Sequence, residues 1–435
     1  MMLSAARARK AAALALAVGA LMFSNSVRAQ DASHAQTPPT NNYWVYVGAE
    51  SADLIHRIRF GPGGTVLEKS FMAGELAADI EGPHGLQVSS DKKYLYVSTG
   101  HGNPDGKFWK YEIGPDTLVA APIFLGFFPA SLDVTPDGLY AFIANFNLHG
   151  DMVPSSQSVV YTPTMTEVAR TTTCTMPHGS RVNPQGTFQY SGCMMDDQLV
   201  EIDTRTFDVS RRFSVAKGNE KPIPATATMA DMDHSAMGRG SVTPAGKPAT
   251  SPATTDAKNR PAVVRPGQAF PVPESGASGL KQMAPATCSP TWAQPSADGA
   301  KIYVACNKSD EIDEIDAARW TLKRKIKTGR GPYNLAVTPD GKLLMATLKP
   351  AASFEIYDLS TGKILATLKN STTVANGIAV SPDSRYAFVS SEGVGAAPGK
   401  VDVYDLRSFA KVGTVDVGQQ AGGIAFWKME PGARH

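Results

Sequence analysis

The stretch GPYNLAVTPDGKLLMATLKPAASFEIYDLSTGKILATLK, residues 331–369, decides the fold. It predicts four short β-strands, because apolar residues alternate over 334–337, 343–347, 354–359 and 363–368. Turn-forming residues separate these segments, above all Thr-Pro-Asp-Gly at 338–341 and Ser-Thr-Gly at 360–362. Strands this short do not bury a core alone, so they must stack against further copies of the same unit.

Copies of this unit recur along the chain. They open as HGLQVSSDKKYLYVS (84–98), ASLDVTPDGLYAFIA (130–144), HGSRVNPQGTFQYSG (178–192), TWAQPSADGAKIYVA (291–305), NGIAVSPDSRYAFVS (376–390) and GGIAF (422–426). Equivalent positions 84, 130, 178, 291, 333, 376 and 422 are spaced by 46, 48, 113, 42, 43 and 46 residues. A period of about 40–50 residues with four strands per unit is typical of propeller blades, and one interval carries an insertion.

The two ends of the chain complement each other. The last copy supplies only a first strand, whereas the chain before residue 84 supplies three strands, at 43–48, 54–60 and 66–71. We predict that these strands together form a seventh blade and close the ring, which leaves no open sheet edge. The sequence therefore predicts an all-β fold, a seven-bladed β-propeller over residues 43–435.

The first 29 residues have the pattern of an export signal. Basic residues at 7, 9 and 10 precede an apolar run over 11–23 and a small-x-small cleavage pattern at 27–29, so the mature chain is predicted to begin at Gln30, with a flexible leader over 30–42. Cleavage removes four basic residues and no acidic one, so the formal net charge changes from +2 to −2. We expect a periplasmic protein with no membrane span after cleavage. Its near-neutral charge argues against nucleic-acid binding.

Four cysteines in an exported chain indicate disulfides. Cys174 and Cys193 flank one predicted hairpin turn, and Cys288 and Cys306 flank another, almost symmetrically. Cross-strand positions of this kind favour the pairs Cys174–Cys193 and Cys288–Cys306. The alternative interpretation is that the four thiolates are soft metal ligands.

The long interval, 217–287, is rich in Pro, Ala, Thr and Gly, and such a composition predicts a disordered insertion between blades three and four. Three methionines and one histidine lie within nine residues of it, namely Met229, Met232, His234 and Met237. Thioethers and imidazole suit copper, above all Cu(I). The segment resembles the Met/His motifs, often written MDHSxM, of exported copper-resistance proteins. The alternative is a linker with incidental methionines.

Further histidines are predicted at one face of the propeller. His84 and His178 share the first-strand position of blades one and three, which lines the central channel, whereas His101 and His149 fall in the loops between second and third strands. Met194 and Met195 occupy the matching loop of blade three, with Met152 and Met176 in loops on the same face. Five of the eight histidines, including His234, are thus expected at one channel mouth. The alternative is that they are polar lining residues.

Other catalytic patterns are absent from the sequence. There is no Cys-x-x-Cys-His for covalent haem, no nucleophile elbow, no Walker A and no dinucleotide fingerprint. The turn aspartates 137, 340 and 383 are predicted to cap turns through their side chains. Glu81 and Glu392 are the two carboxylates that we expect near the channel mouth, and they are the candidates for an acid–base role there.

The repeat G-h-x-V-[ST]-P-D-G followed by h-x-V-Y-D-L-x-[ST] resembles the YVTN/YncE-like seven-bladed propellers. GPYN…VTPDG and NG…VSPDS match it well, whereas HGSRVNPQG and TWAQPSADG depart from it. The same superfamily includes the amine dehydrogenase heavy chain, the haem d1 domain of nitrite reductase, the N-terminal domain of nitrous oxide reductase and lactonase-type propellers. The resemblance implies the fold; it does not imply one activity, because propellers host many unrelated sites.

Three functions are compatible with these patterns. The leading hypothesis is a periplasmic propeller that binds copper at the channel mouth, capturing it with the Met/His loop and passing it to the rim imidazoles or to a protein partner. The second is a propeller enzyme, an oxidoreductase or a lactonase, that uses the same mouth. The third is a metal-free scaffold on which a periplasmic protein partner docks.

Overall fold

The computed structural model describes residues 38–76, 78–101, 106–226 and 285–432. The predicted signal segment, most of the leader and the Met229–Met237 motif lie outside these ranges. The described residues form β-strands with two short 3-10 helices, Glu50–Ala52 and Lys349–Ala351. None of their helices is long and apolar enough to cross a membrane.

The strands fall into seven sheets in chain order. The first three are β1 (Asn41–Ala49), β2 (Leu54–Gly61) and β3 (Gly64–Met72) of blade seven. Blade one has β4 (Pro83–Val88), β5 (Tyr94–Thr99), β6 (Lys107–Glu112), β7 (Thr117–Leu118) and β8 (Ile123–Phe124). Blade two has β9 (Pro129–Val134), β10 (Tyr140–Asn145), β11 (Pro154–Tyr161) and β12 (Thr166–Thr175). Blade three has β13 (Pro177–Val182), β14 (Phe188–Cys193), β15 (Gln198–Asp203), β16 (Val209–Ser214) and β17 (Lys221–Ile223).

The remaining strands repeat the four-stranded unit. Blade four has β18 (Pro290–Pro295), β19 (Lys301–Cys306), β20 (Glu311–Asp316) and β21 (Thr321–Lys327). Blade five has β22 (Pro332–Val337), β23 (Leu343–Leu348), β24 (Ser353–Asp358) and β25 (Ile364–Lys369). Blade six has β26 (Ala375–Val380), β27 (Tyr386–Ser391), β28 (Gly399–Asp405) and β29 (Ala410–Val417). The chain ends in β30 (Ala421–Pro431), the inner strand of blade seven.

Turn chemistry fixes the hairpin that opens each blade. In blade five the Thr338 hydroxyl donates to the Asp340 carboxylate over 2.6 Å, and Asp340 accepts from the backbone N–H of Lys342 over 3.1 Å. Gly341 has φ +70°, a conformation that favours glycine. The same carboxylate contacts occur at Asp137 and Asp383. The predicted capping role of the turn aspartates is confirmed.

The ring closes as predicted. Strand β30 pairs antiparallel with β1, with Val45 opposite Phe426 and Tyr46 opposite Ala425, so the sheet order of blade seven is β3-β2-β1-β30. The all-β, seven-bladed propeller is therefore confirmed. Because the first and last strands share one sheet, hydrogen bonding between the chain ends holds the ring shut.

Hydrophobic side chains fill the spaces between neighbouring blades. Between blades four and five, Tyr303 and Ile312 pack in one cluster with Leu335, Leu344 and Tyr357, all of them buried. Each blade therefore depends on its neighbours for burial of its faces, which is the physical reason that the repeat has to form a ring.

Both ends of the predicted insertion, 217–287, are described. Residues 217–226 are described, and Lys221–Ile223 adds a fifth strand, β17, to blade three, where Phe213 pairs with Pro222. On the other side, the Thr287 N–H donates to the Asp197 carboxylate over 2.6 Å. A composition-based boundary misses these ends because their order comes from pairing with blade three.

Both predicted disulfides are present, Cys174–Cys193 and Cys288–Cys306, and no cysteine among the described residues is free. The thiolate-ligand alternative is therefore wrong. The predicted cross-strand placement is also wrong in detail, since Pro177 and Pro290 are the partners of Cys193 and Cys306 in the ladder. Cys174 lies near the end of β12, the last strand of blade two, and Cys288 lies just before β18, the first strand of blade four. Disulfides are typical of proteins in oxidising, extracytoplasmic compartments.

Candidate functional site at the channel mouth

Seven equivalent first-strand positions surround the channel, as the repeat predicts. They are His84, Ala130, His178, Thr291, Tyr333, Asn376 and Gly422. The rings of His84 and His178 are 6.3 Å apart between centroids, and both line a cavity of about 40 Å³ in the channel. The structure therefore brings the two first-strand histidines together across the intervening blade.

Each of these imidazoles is oriented by the next blade. His84 Nδ1 lies 2.5 Å from the backbone oxygen of Ala130, and His178 Nδ1 lies 2.7 Å from that of Thr291. A carbonyl oxygen only accepts, so Nδ1 carries the hydrogen in both rings, and Nε2 of the neutral ring keeps its lone pair. Metal-binding histidines commonly donate their other ring N–H to a backbone carbonyl in this way, which fixes the tautomer and the ring orientation.

His178 is held in its neutral form. It is 2% exposed, and burial, reinforced by His84 nearby, lowers the pKa of His178 to about 3. The Tyr333 hydroxyl lies 3.3 Å from His178 Nε2, where it can donate a weak hydrogen bond. A neutral imidazole is what a metal ion requires of a histidine ligand.

The two loop histidines, His101 and His149, contact the ring of Phe128, which also contacts His84. The centroid of the Phe128 ring lies 5.3 Å from that of His84, 5.0 Å from that of His101 and 5.5 Å from that of His149. The rings of His101 and His149 are 5.9 Å apart. The rings of these four histidines therefore lie together around Phe128 and the channel, and His234 lies outside the described residues.

Three predicted thioethers join this cluster. Met176 is buried with Phe128, Ala130 and Phe146, while Met194 and Met195 pack against these residues from the partly exposed side. Met152 is 41% exposed and is not part of the packed group. The methionines therefore form one apolar wall of the mouth beside the imidazoles.

His101 has a carboxylate partner. Its Nε2 contacts the carboxylate of Glu50, a residue only 4% exposed in the loop after β1. The contact with Glu50 raises the pKa of His101, whereas the positive potential of His84, His101 and Lys349 outweighs burial and lowers the pKa of Glu50. His101 is thus engaged in an ion pair, which makes it a less available ligand than His84.

A second charged pair lies on the far side of the mouth. Lys349 Nζ is 3.0 Å from a carboxylate oxygen of Glu392, which also accepts from the Asn376 side chain over 2.7 Å. The Lys349 ammonium lies 4.4 Å from the centroid of the Tyr333 ring. Although burial opposes it, Tyr333 and the carboxylates of Glu392 and Glu50 raise the pKa of Lys349. This side of the mouth is polar, opposite the methionine wall.

The two carboxylates singled out from sequence differ in their surroundings. Glu392 lies at the mouth as described, whereas Glu81 is buried, contacts the Lys107 ammonium and accepts from the Thr99 hydroxyl over 3.2 Å. Those partners satisfy Glu81 in a structural role. The sequence missed Glu50 and Lys349, although both follow the end of a second strand, in the same register as Met194 and Glu392.

The types of side-chain donor at the mouth decide which metal ions fit there. No group of three or more His, Cys, Asp or Glu suited to a metal lies within the described ranges. A hard or borderline ion such as Zn²⁺ needs such a group. Two imidazoles beside thioethers are a soft set that fits Cu(I). Met229, Met232, His234 and Met237 lie outside the described residues.

The sequence matches no protein-family model and no curated protein. Solved structures do resemble it. The periplasmic gluconolactonase of Pseudomonas aeruginosa matches with a TM-score of 0.58 at 15% identity, covering 89% of this chain and 99% of that one. A protein of unknown function from Desulfotomaculum acetoxidans has a TM-score of 0.58 at 14% identity, with 88% and 98% covered.

Hydrazine synthase from Kuenenia stuttgartiensis also matches, with a TM-score of 0.50 at 16% identity over 77% of this chain and 80% of that one. At such identities the likeness concerns the fold and not the chemistry. The comparisons therefore place the chain among seven-bladed β-propellers, and no narrower family is shown.

Proposed function

We propose that this protein is a periplasmic propeller that binds a copper ion as cargo at its channel mouth, through Nε2 of His84 and His178. The observation that carries the proposal is the pair of imidazoles, 6.3 Å apart between centroids, each with Nδ1 fixed by a backbone carbonyl. The thioethers of Met176, Met194 and Met195 in the adjacent cluster supply soft donors of the kind that Cu(I) prefers.

The test is an anaerobic Cu(I) titration against a competing chelator. The His84→Ala/His178→Ala variant is expected to bind copper at least about tenfold more weakly than the unaltered protein, because both fixed ligands are gone. His101→Gln is the matched control, since it removes an imidazole of the same mouth that already pairs with Glu50. Equal affinity of the double variant and the unaltered protein contradicts the proposal.

The Met229–Met237 segment is tested separately by a chain lacking residues 229–237. If that segment adds thioether ligands, its removal weakens Cu(I) affinity while leaving the contribution of His84 and His178 intact. X-ray absorption at the copper edge reports the ratio of nitrogen to sulfur neighbours in both proteins. A spectrum without sulfur neighbours in the full chain rejects a role for any methionine.

A second candidate function is hydrolysis of a lactone or a related ester. The specific observation is the pair of partly buried acid–base contacts at one mouth, Glu50 with His101 and Glu392 with Lys349. The gluconolactonase among the structural neighbours has the same fold. Turnover of a lactone panel without copper, lost in Glu50→Gln, favours this function over copper binding.

A further inference from the structure

The channel contains a cation for which the described residues supply no ion-pair partner. Arg181 lies on β13, three residues after His178, and lines the same cavity of about 40 Å³. Its Nη1 donates to the backbone oxygens of Ser180, over 2.9 Å, and Leu132, over 3.3 Å. No carboxylate oxygen of the described residues lies within salt-bridge distance of it, and Nε and Nη2 have no hydrogen-bond partner among them.

The carboxylate of Asp133, which acts on Arg181 through space, is committed to other partners. Asp133 accepts from the backbone N–H of Val134 over 3.0 Å and of Val182 over 2.9 Å, and from the side chain of Gln87. It attracts Arg181 through space without forming an ion pair with it, and desolvation in the channel still lowers the pKa of Arg181, although its side chain is partly exposed. An arginine stays charged under all ordinary conditions, so the channel carries a guanidinium whose charge is only partly compensated.

The cavity wall has unused hydrogen-bonding groups as well. Trp292 is 6% exposed, and its Nε1–H has no partner within the described part of the chain. The guanidinium carbon of Arg181 lies 4.5 Å from the centroid of the Trp292 ring, so the stacked indole holds the arginine in place. An unpaired buried donor of this kind calls for a partner that the described residues do not supply.

We propose that the cavity is a binding site for a small monovalent anion, a carboxylate or a halide, held by Arg181 and the indole N–H of Trp292. Both groups are donors, and a planar guanidinium suits a carboxylate geometrically. A volume of about 40 Å³ admits a formate or chloride ion but not a bulky molecule as a whole. The anion compensates the charge that none of the described residues neutralises.

The site is independent of the copper proposal in its chemistry, although His84 and His178 also line the cavity. Copper binding needs the imidazole lone pairs, whereas the anion needs the guanidinium and indole hydrogens. The two proposals therefore fail separately. Anion binding is measured on copper-free protein, and copper affinity is measured on the Arg181 variant in parallel.

The test is a titration of the full mature chain with sodium formate and with sodium chloride, followed by calorimetry and by thermal stability at constant ionic strength. Lactate is the third anion titrated. It tests whether the site accepts the carboxylate of a larger ligand, which has to enter the cavity from the channel mouth. The sodium salt of a bulky sulfonate keeps ionic strength constant. Binding of formate or chloride alone identifies a free ion, and binding of lactate as well identifies the carboxylate of a larger ligand.

Arg181→Gln is expected to weaken anion binding by about ten- to a hundredfold, since it removes a charged donor. Trp292→Phe keeps the stacked ring, loses only the N–H, and is expected to weaken binding by about fivefold. Arg407→Gln, at an exposed position, is the matched control and leaves binding unchanged. Should Arg181→Gln misfold, Trp292→Phe still decides the question. Equal binding by the unaltered protein and both cavity variants, or no heat with any anion, overturns the proposal.

Discussion

At the scale of single residues, the pair formed by His101 and Glu50 makes stability depend on pH. Glu50 raises the pKa of His101 above 6.5, and the positive charges around Glu50 lower its pKa below 4.5. A raised histidine pKa stabilises the fold below the unfolded value and loses this effect as pH rises through the folded value. A carboxyl whose pKa is lowered on folding stabilises the fold above its unfolded value and loses this effect as pH falls through the folded value. The pair therefore contributes most to the free energy of unfolding between pH 4.5 and pH 6.5, the two unfolded pKa values.

We predict that His101→Gln lowers the free energy of unfolding by about 1–2 kcal/mol near pH 5.5, and by less at pH 9. The physical reason is the lost attraction between an imidazolium and a buried carboxylate. The measurement is denaturant unfolding of metal-free protein across pH, with Glu50→Gln and the double variant completing a cycle. A coupling energy that is the same at pH 5.5 and pH 9 contradicts the prediction.

The sequence indicated much of this residue-level picture. A repeat register is enough to place His84 and His178 at equivalent positions, because the blade period is nearly constant. It does not reveal which side chains meet across the channel, since contacts such as His101 with Glu50 join segments 51 residues apart in different blades. Arg181 and Trp292 carry no motif at all, and only their unpaired groups in a common cavity distinguish them.

At the scale of the strands, blades four, five and six share a buried acidic residue on the third strand. Glu355 accepts from the backbone N–H of Gly329 over 2.9 Å, and Asp402 accepts from that of Ser371 over 2.6 Å. Each carboxylate thereby fixes the connection that leaves the preceding blade. Asp313, the equivalent in blade four, has no hydrogen-bond partner on either oxygen within the described residues.

Asp313 differs from Glu355 and Asp402 because of the connection that leads into its blade. In blade four this connection is the long interval after β16. Asp313 is instead surrounded by the charges of Glu220, Glu311, Lys325 and Lys327, and burial raises its pKa to about 7. The Lys325 ammonium is already engaged with Glu220 and Glu311. An unpaired carboxyl in this position costs stability once it is ionised.

We predict that Asp313→Asn raises the free energy of unfolding at pH 8 by about 1–3 kcal/mol. A raised carboxyl pKa means that the folded chain binds the proton more tightly, so stability of the unaltered protein falls as pH rises from about 4 to about 7. The gain is therefore smaller at pH 5. Asp402→Asn is the control of opposite sign, because its carboxylate is hydrogen-bonded. A destabilised Asp313→Asn at pH 8 contradicts this account.

At the scale of the whole molecule, both the fold and the closure of the ring could be predicted from the sequence. The spacing of the repeat predicts the blades, and the complementary strands at the two chain ends predict the closure. The boundaries of the insertion could not. Strand β17 has only three residues and pairs with β16, so its order depends on a neighbour and not on its own composition. The placement of Cys174 on the last strand of blade two, and of Cys288 just before β18, was missed for a similar reason, since symmetry about a turn does not define the ladder register.

Closure by β30 leads to the last prediction. A chain ending before Ala421 lacks the inner strand of blade seven, which exposes the pairing edge of β1 and the buried face shared with blades one and six. We expect this chain to associate and to lose its single cooperative unfolding transition, because an open edge and uncovered apolar residues favour aggregation. Size-exclusion chromatography and denaturant unfolding measure both effects.

A peptide of residues 421–432, added during refolding, is the rescue experiment. It supplies the missing strand in trans and should restore a monodisperse propeller, since the pairing of β30 with β1 is mainly backbone hydrogen bonding along a matched register. A peptide of the same composition in scrambled order is the control, because it cannot place Ile424 and Phe426 together on the face that packs against blade six. A truncated chain that stays monomeric and unfolds cooperatively without any peptide would show that inter-blade packing, and not strand pairing between the chain ends, holds the ring shut.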